Sequence, residues 1–206
     1  MRKWTGWVAV LLLWTALAPR AAAESKRYET SFLDVFDTFS QVVVYADTQE
    51  DAQEILQEVH DELKNYHQLF DIYHAYEGVN NLYTVNQNAG IAPVAVDEAV
   101  YELVAFGKEM FVQTGGKTNM ALGSVLSIWH EYRELGLEKP EYAAIPTVEE
   151  LLAAAKHADI EQVVLDPEKR TVYLADPQMS LDVGAIAKGY AVERTARKLE
   201  AQGVQS

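Results

Sequence analysis

The spacing of apolar residues changes along the chain, and this change limits the fold more than any other feature of the sequence. Residues 40–46 (SQVVVYA) are mostly β-branched, which is typical of a strand. Apolar residues within 52–66 recur every three or four positions, which is typical of a helix. Two further β-branched runs, at 161–165 and 171–175, flank the turn residues 166–170 and predict a hairpin. This order predicts a mixed α/β (α+β) fold, with a sheet flanked by helices that bury their apolar faces against it.

Local signals set the ends of the predicted helices. Thr48–Asp51 and Thr147–Glu150 both have the pattern of a capping box, which opens a helix. Another helix is predicted from Asp97 to a stop at Thr114–Gly116. The last helix is predicted from about Ala185 to Gln202. Residues 117–136 are mostly helical by pattern, with an apolar face of Val125, Ile128, Trp129 and Tyr132.

The N-terminal residues are typical of an export signal. A basic start, Met1-Arg-Lys3, precedes an apolar run and then the small residues Ala21–Ala23. We therefore expect a signal peptide at 1–23, a polar linker at 24–31 and a domain at 32–206. This predicts an exported protein in the periplasm or another extracytoplasmic space. The alternative is an uncleaved N-terminal membrane anchor, although the apolar run is short for a stable span.

Composition excludes several classes of function. The chain has no cysteine, so thiolate metal sites and cysteine nucleophiles are excluded, and the fold must depend on its hydrophobic core. Its formal net charge is −14, which argues against binding to nucleic acid or to an anionic membrane surface. The five histidines lack the spacing of a zinc site, and no GxSxG or Ser-His-Asp pattern is present. The sequence therefore assigns no catalytic residue.

The segment SLDVGAIAKGYAVE (180–193) carries the strongest chemical pattern. An apolar run expected to end a strand leads through Asp182 and Gly184 into a helix whose first amide groups are free to bind an anion. Lys188 would add positive charge, while the Asp182 carboxylate would accept hydrogen bonds or help to hold a cation. The alternative is a strand–helix turn with an acidic cap and a solvated lysine.

Two other segments allow either a ligand contact or an ordinary structural role. Thr118 and Asn119 follow Lys117 and precede a helix, so they can cap that helix or bind a ligand. The loop 71–94 can supply aromatic stacking and amide hydrogen bonds, or it can use the same side chains in turns and in the core. Its candidates are Tyr73, Tyr76, Asn80, Asn81, Tyr83 and Asn86.

Together these segments resemble the ApbE family of FAD:protein FMN transferases. Four blocks in order carry the resemblance, and the last contains the family's most recognisable string, Leu-Asp-x-Gly-x-Ile-Ala-Lys-Gly-Tyr-Ala. The blocks are DVFDT (34–38), DIYHAYEGVNNLYTVNQNAG (71–90), TGGKTNMALGSVLSIW (114–129) and SLDVGAIAKGYAVE (180–193).

The resemblance implies an enzyme that uses FAD and Mg²⁺. A threonine or serine hydroxyl of an acceptor flavoprotein attacks the FMN-side phosphorus of FAD, AMP leaves, and FMN stays attached through a phosphoester. Such transfer depends on positioning and on charge neutralisation. By the same resemblance, the backbone carbonyl of Ala185 is expected to bind the metal. The residues expected to contact FAD are Phe36, Tyr73, Lys117, Thr118, Asn119, Asp182 and Lys188.

The sequence also departs from the family pattern. Phe36-Asp37-Thr38 stands where the family has Met-Gly-Thr, Asn119 replaces an acid, and Asn80 stands near the position of a serine. The family's later glycine-rich segment and the Asp and Thr that complete its metal site are absent from this sequence. We therefore expect the N-terminal part of a transferase, inactive by itself. The alternatives are an exported protein that binds or hydrolyses FAD without transfer, and an exported α/β interaction domain without flavin.

Overall fold

The computed structural model describes residues 25–204. The predicted signal peptide at 1–23, and with it the alternative of an N-terminal membrane anchor, lies outside the described residues. Across residues 25–204, no helix combines the length and the apolar character that a membrane crossing requires.

The segment predicted as a polar linker is largely a strand. Strand β1 (Lys26–Phe32) pairs antiparallel with β2 (Ser40–Ala46), from Lys26 opposite Ala46 to Phe32 opposite Ser40. The many polar residues of β1 conceal an alternation in which Tyr28, Thr30 and Phe32 are half-buried and their neighbours are exposed. The linker prediction at 24–31 is therefore wrong from residue 26 onward, because pairing with β2 satisfies the backbone of this polar strand.

Helix α1 (Gln49–Phe70) is the longest element within residues 25–204 and supports both halves of the core. Thr48 caps it as predicted, with its hydroxyl oxygen accepting a hydrogen bond from the Asp51 N–H at 3.1 Å. One part of its buried face packs under β1 and β2, and another part packs against the main core. Its buried residues are Ala52, Val59, Leu63, Tyr66, Leu69 and Phe70.

The remaining strands form a second sheet, in the order β3-β5-β4. Strand β3 is Val94–Ala95, and the predicted hairpin is confirmed as β4 (Val163–Asp166) and β5 (Thr171–Leu174). Helix α2 (Leu82–Gln87) lies within the loop predicted at 71–94, and α3 (Glu98–Gln113) has Asp97 as its N-cap. The mixed α/β prediction is confirmed, although the strands form two small sheets rather than one.

Helices α4 (Gly123–Glu138) and α5 (Val148–Ala154) contribute little to the core. Of residues 123–158, only Gly123 and Pro146 are buried. Trp129, predicted on the apolar face of α4, is 44% exposed. The predicted capping box of α5 is confirmed, since the Thr147 and Glu150 side chains each bond to the other's backbone N–H.

Helix α6 (Ala187–Ala201) begins after a turn at 184–186 and packs on α1. The residues before it do not form the predicted strand end. Leu181 and Val183 are buried, but this extended segment is held by the Asn86 side chain and the Met120 carbonyl rather than by a neighbouring strand. These partners bind the Leu181 N–H and carbonyl and the Asp182 N–H, in place of a neighbouring strand.

Candidate functional site

A cleft of about 290 Å³ lies where three segments distant in sequence meet. One wall is the loop after β1, a second is the C-terminal end of α1 with the loop that follows it, and a third is the start of α6. The lining residues are Phe36, Asp37, His67, Phe70, Asp71, Ile72, Tyr73, His74, Tyr76, Asp182, Val183, Gly184, Ala187 and Lys188. Of the predicted site residues, the structure brings together Phe36, Tyr73, Asp182 and Lys188.

Asp71 organises one wall of the cleft. It is the C-cap of α1, and its side chain is only 5% exposed. The carboxylate accepts hydrogen bonds from the Tyr73 N–H at 2.7 Å, the Tyr76 hydroxyl at 2.8 Å, and the His74 N–H and ring. Burial acts to raise the pKa of Asp71, but these hydrogen bonds outweigh it and lower the pKa. The loop 71–76 is therefore folded around a buried anion.

Tyr73 and Tyr76 both have raised pKa values, and the Asp71 carboxylate contributes to both shifts. Burial and the hydrogen bond to Asp71 raise the pKa of Tyr76 to about 12. Burial also raises the pKa of Tyr73, and the Asp182 carboxylate adds to this effect while Arg133 opposes it. Tyr73 is 52% exposed, and its ring stacks on His130 of α4 with centroids 5.1 Å apart and planes at 29°. Tyr73 thus presents an aromatic surface at the cleft, and its stacking on His130 of α4 supports that position.

The opposite wall is a strained turn. Phe36 and Asp37 both have left-handed backbones, with φ of 53° and 50°. This conformation is costly for residues other than glycine. The His67 ring nitrogen Nδ1 accepts a hydrogen bond from the Phe36 N–H at 3.1 Å, and the two rings meet edge to face at 5.6 Å. His67 and the fully buried Val35 therefore hold the turn against the end of α1.

The third wall carries Asp182 and Lys188. The Asn86 side chain fixes Leu181, the residue before Asp182. Its Oδ1 accepts a hydrogen bond from the Leu181 N–H at 2.8 Å, and its Nδ2 donates to the Leu181 carbonyl at 3.0 Å. The Asp182 N–H then donates to the Met120 carbonyl at 2.8 Å, and Asp182 Oδ1 accepts from the Gly184 N–H at 2.8 Å. Lys188 lies in the first turn of α6, where its exposed side chain lines the cleft. A carboxylate and an ammonium thus share one wall.

Ala185 lies in the exposed turn that leads into α6. Its neighbours Gly184 and Ala187 line the cleft, but Ala185 does not. The cleft therefore reaches the backbone beside the predicted metal-binding carbonyl.

The predicted residues Lys117, Thr118 and Asn119 do not line this cleft. Asn119 is used in the fold: its Oδ1 accepts from the Ala121 N–H at 2.9 Å, and its Nδ2 donates to the Ala158 carbonyl at 2.8 Å. The Thr118 N–H donates to the Thr114 hydroxyl oxygen, and Lys117 is exposed. Their block reaches the site indirectly, through the Met120 carbonyl that binds Asp182.

Sequence reasoning missed three groups in the cleft. In the sequence, Asp71 is only the first residue of the predicted loop, His67 is only one of five histidines that lack the spacing of a zinc site, and Asp37 is only part of a departure from the family pattern. Asp71 does have a local signal in the sequence. It is an acidic residue directly after the apolar pair Leu69-Phe70, at the end of a predicted helix, and it precedes a loop rich in aromatic residues. His67 has no such signal, because its partner Phe36 is 31 positions away.

The loop asparagines serve mainly in structure. Asn81 is fully buried, and its side chain donates to the Gln68 and His74 carbonyls and accepts from Thr84. Asn80 donates to the Ala95 carbonyl at 2.9 Å. Across the part of the chain that the structure describes, no three His, Asp or Glu residues are grouped so as to hold a metal ion.

The sequence profile of the ApbE family matches residues 36–206, which include every wall of the cleft. The chain belongs to the ApbE family. The FAD:protein FMN transferase of Treponema pallidum is 34% identical over 130 residues, which are 61% of this chain and 34% of the relative. The enzyme of that name in Klebsiella pneumoniae is 29% identical over 69% of this chain and 42% of its own length. This ApbE-family chain thus matches roughly two fifths or less of these relatives.

Solved structures show the same fold. The flavin transferase ApbE of Vibrio cholerae superposes with a TM-score of 0.72 at 20% identity, over 88% of this chain and 56% of its own. The ApbE protein of Thermotoga maritima gives a TM-score of 0.69 at 24% identity, over 84% of this chain and 52% of its own. The ApbE-like fold expected from the sequence is therefore confirmed.

Proposed function

We propose that this chain forms the FAD-binding part of an FAD:protein FMN transferase. The acceptor is a threonine or serine hydroxyl of a flavoprotein. Its oxygen forms a bond to the FMN-side phosphorus of FAD, the pyrophosphate bond breaks, AMP leaves with the bridging oxygen, and the hydroxyl proton is released. The relatives' names support the reaction class. An extracytoplasmic location belongs to the same proposal.

One observation carries the assignment to this cleft. The family resemblance predicts FAD contacts for Phe36, Tyr73, Asp182 and Lys188. These residues lie as far as 152 positions apart in sequence, and all four line one cleft. A flavin nucleotide has an aromatic ring system, an anionic phosphate and polar ring edges that donate hydrogen bonds. The cleft has two aromatic rings, an ammonium group and a carboxylate that can bind these parts.

The chemistry of the walls supports distinct roles. The Tyr73 and Phe36 rings would contact the flavin or adenine ring by stacking or edge contact. The Lys188 ammonium would pair with a phosphate, beside amide groups at the start of α6. Asp182 would accept hydrogen bonds from ligand N–H or O–H groups. Asp71 would not touch the ligand, but it fixes the backbone that presents Tyr73.

The described residues do not by themselves make a Mg²⁺ site. Mg²⁺ prefers six oxygen ligands in near-octahedral geometry. Here Asp182 offers one carboxylate, already bonded to the Gly184 N–H, and the Ala185 carbonyl is a second oxygen. No third acidic or histidine ligand completes a group within residues 25–204. Phosphate oxygens of FAD and water are suitable further ligands.

Flavin fluorescence during titration of the chain with FAD tests the binding. We expect Lys188→Ala to weaken FAD binding about tenfold or more, because a charge-assisted contact to phosphate is lost. Lys139→Ala, an exposed lysine outside the cleft, is the matched control and should bind FAD like the unaltered chain. Equal affinity of all three proteins would refute the assignment of Lys188.

Transfer is tested separately by mass spectrometry of an acceptor flavoprotein after incubation with the chain, FAD and Mg²⁺. Attached FMN with released AMP supports transferase activity. AMP and free FMN without attachment would indicate an FAD hydrolase, and binding without either product would indicate an FAD-binding protein. Absence of any FAD binding would favour the interaction domain without flavin.

A further inference from the structure

The hydrogen bond between His67 and Phe36 depends on the protonation state of the His67 ring. Nδ1 of this ring accepts from the Phe36 N–H at 3.1 Å. A histidine nitrogen that accepts a hydrogen bond carries no proton, so the ring is neutral and its proton lies on Nε2. A second proton would go to Nδ1, where it would face the Phe36 N–H. The hydrogen bond would then be lost.

This hydrogen bond holds a turn whose backbone is strained. Phe36 and Asp37 both have left-handed backbones, with φ of 53° and 50°. The Phe36 and His67 rings meet edge to face with centroids 5.6 Å apart, and both residues line the cleft. A strained backbone persists only where its surroundings hold it in place. Loss of the bond to His67 would therefore let the turn relax and would move the Phe36 ring from its place in the cleft wall.

A second histidine of α1 binds the same loop but responds differently to acid. His60 precedes His67 by seven residues, about two helical turns, so both rings lie along one side of α1. His60 Nε2 lies 3.0 Å from each carboxylate oxygen of Asp34, and it must be the donor because an ionised carboxylate only accepts. This hydrogen bond lowers the pKa of Asp34, and Lys64 contributes to the shift. Acid therefore keeps the contact at Asp34 and breaks the contact at Phe36.

We propose that His67 is a positioning residue of the ligand cleft, which holds Phe36 in the cleft wall through its unprotonated Nδ1 and releases it when that nitrogen is protonated. The inference rests on the proposed function, which assigns the Phe36 ring to a contact with FAD. His67 acts through Phe36 and needs no contact with FAD of its own. FAD should therefore bind more weakly in acid, within the range of about pH 5 to about pH 8 in which histidine rings titrate.

The groups around His67 carry both signs of charge, and most are of types that do not titrate in this range. Those that line the cleft with it are Asp37, Asp71, Asp182, Lys188, Tyr73 and Tyr76. Lys64 lies about one turn before His67 on α1. Carboxylates and lysines ordinarily keep their charge, and tyrosines stay neutral, between about pH 5 and about pH 8.

Two further histidines near the cleft do titrate in this range. His74 lines the cleft and bonds to the Asp71 carboxylate at 3.0 Å. His130 stacks on the Tyr73 ring and accepts a hydrogen bond from Arg133. A fall of FAD affinity in acid would therefore not by itself identify His67, and the test must remove the titration of His67 alone.

FAD titration at about pH 8 and about pH 5, followed by flavin fluorescence, provides this test with three variants. His67→Asn keeps an acceptor in about the place of Nδ1 but cannot take up a proton. His67→Phe keeps an aromatic ring and loses the acceptor. His60→Gln is the matched control, because it removes the other histidine that binds this loop and its amide can still donate to Asp34. Circular dichroism at both pH values checks that each variant is folded.

We expect the unaltered chain and His60→Gln to bind FAD about fivefold more weakly at the lower pH, because a hydrogen bond that holds a strained turn is lost. His67→Asn should bind with about equal affinity at both pH values. His67→Phe should also be insensitive to pH, but about fivefold weaker than His67→Asn. A pH effect that survives in His67→Asn would overturn the proposal and assign the effect to another histidine. Equal affinity of the unaltered chain at both pH values would overturn it as well.

NMR of the FAD-free protein tests the same contact without the ligand. The Phe36 amide signal should shift as the His67 ring titrates in the unaltered chain, and it should stay in place in His67→Asn. A Phe36 signal that does not follow the His67 ring would overturn the proposal, whatever the pH dependence of FAD binding. A chain that binds no FAD at either pH would count against the proposed function, and the Phe36 signal alone would then support or overturn the role of His67.

Discussion

Asp71 shows how a single buried carboxylate can shape a ligand site without touching the ligand. Its four hydrogen bonds reach the backbone and side chains of Tyr73, His74 and Tyr76. A charged acceptor is needed, because every group that faces it is a donor. The folded protein therefore binds a proton at Asp71 less readily than the unfolded chain does.

Asp71→Asn should destabilise the protein by about 2–3 kcal/mol at neutral pH, because the new amide group faces donors. The pKa of Asp71 is lowered from 3.8 in the folded state. Its stabilising contribution is thus complete above that value and is lost as pH falls through the lower, folded pKa. Urea unfolding of both proteins should show a difference that shrinks below about pH 4.

Asp47→Asn, which alters an exposed carboxylate, is the control for that measurement. Its stability should differ little from that of the unaltered chain at either pH. A difference between the chain and Asp71→Asn that stays constant down to pH 2 would contradict the account of Asp71.

Substitutions of Asp37 test whether the left-handed turn at Phe36 and Asp37, in one wall of the cleft, is strained. The Asp37 φ of 50° suits glycine but not alanine. Asp37→Gly should therefore be more stable than Asp37→Ala by about 1 kcal/mol, since both lose the same carboxylate and only one keeps the strained backbone. Thermal unfolding of the two variants measures this difference. Equal melting temperatures would mean that the turn stores no strain at residue 37.

At the scale of elements, the junction between the start of α4 and the segment before α6 decides where Asp182 lies. Gly123 packs so closely on this segment that an added Cβ would lie 2.3 Å from the Ser180 carbonyl oxygen. Two residues later the Asp182 N–H bonds to the Met120 carbonyl. The sequence blocks 114–129 and 180–193 thus meet through backbone contacts rather than through their polar side chains.

Gly123→Ala should destabilise the protein by about 1–3 kcal/mol through overpacking, and it should weaken FAD binding by displacing Asp182. Gly189→Ala is the matched control, because nothing lies within 4 Å of its added Cβ inside α6. That variant should gain about 0.5–1 kcal/mol, since alanine favours a helix. Chemical unfolding and FAD titration of both variants provide the test, and a stable Gly123→Ala with normal affinity would contradict it.

At the scale of the whole molecule, the negative net charge of the protein repels an anionic ligand. The chain has a formal net charge of −14, and Asp37, Asp71 and Asp182 line the cleft beside the single lysine Lys188. Long-range repulsion between the protein and the FAD pyrophosphate is screened by salt more strongly than the short-range contact to Lys188.

The association rate constant of FAD should therefore rise, about twofold or more, between about 10 mM and about 150 mM ionic strength. Stopped-flow flavin fluorescence measures it. Riboflavin, which lacks the phosphates, is the matched control and should show little change. A rate constant that falls with added salt would show instead that the cleft attracts anions at long range.

The sequence by itself determined the features that depend on neighbouring residues. The caps at Thr48 and Thr147, strand β2 and the hairpin of β4 and β5 all follow from patterns a few residues long, and all are confirmed. The family resemblance also follows from short blocks in order. These features could be predicted because the physical cause and its effect lie within one turn or one strand.

Only the tertiary structure decided which residues share the cleft. The bonds between Phe36 and His67 and between Asn86 and Leu181 join residues 31 and 95 positions apart, and no local pattern encodes them. The same holds for β1, which is polar by composition and became a strand because β2 offered it a partner. Asn119 was predicted as either a cap or a ligand, and the fold made it a cap, because Ala121 and Ala158 bring partners to both ends of its amide.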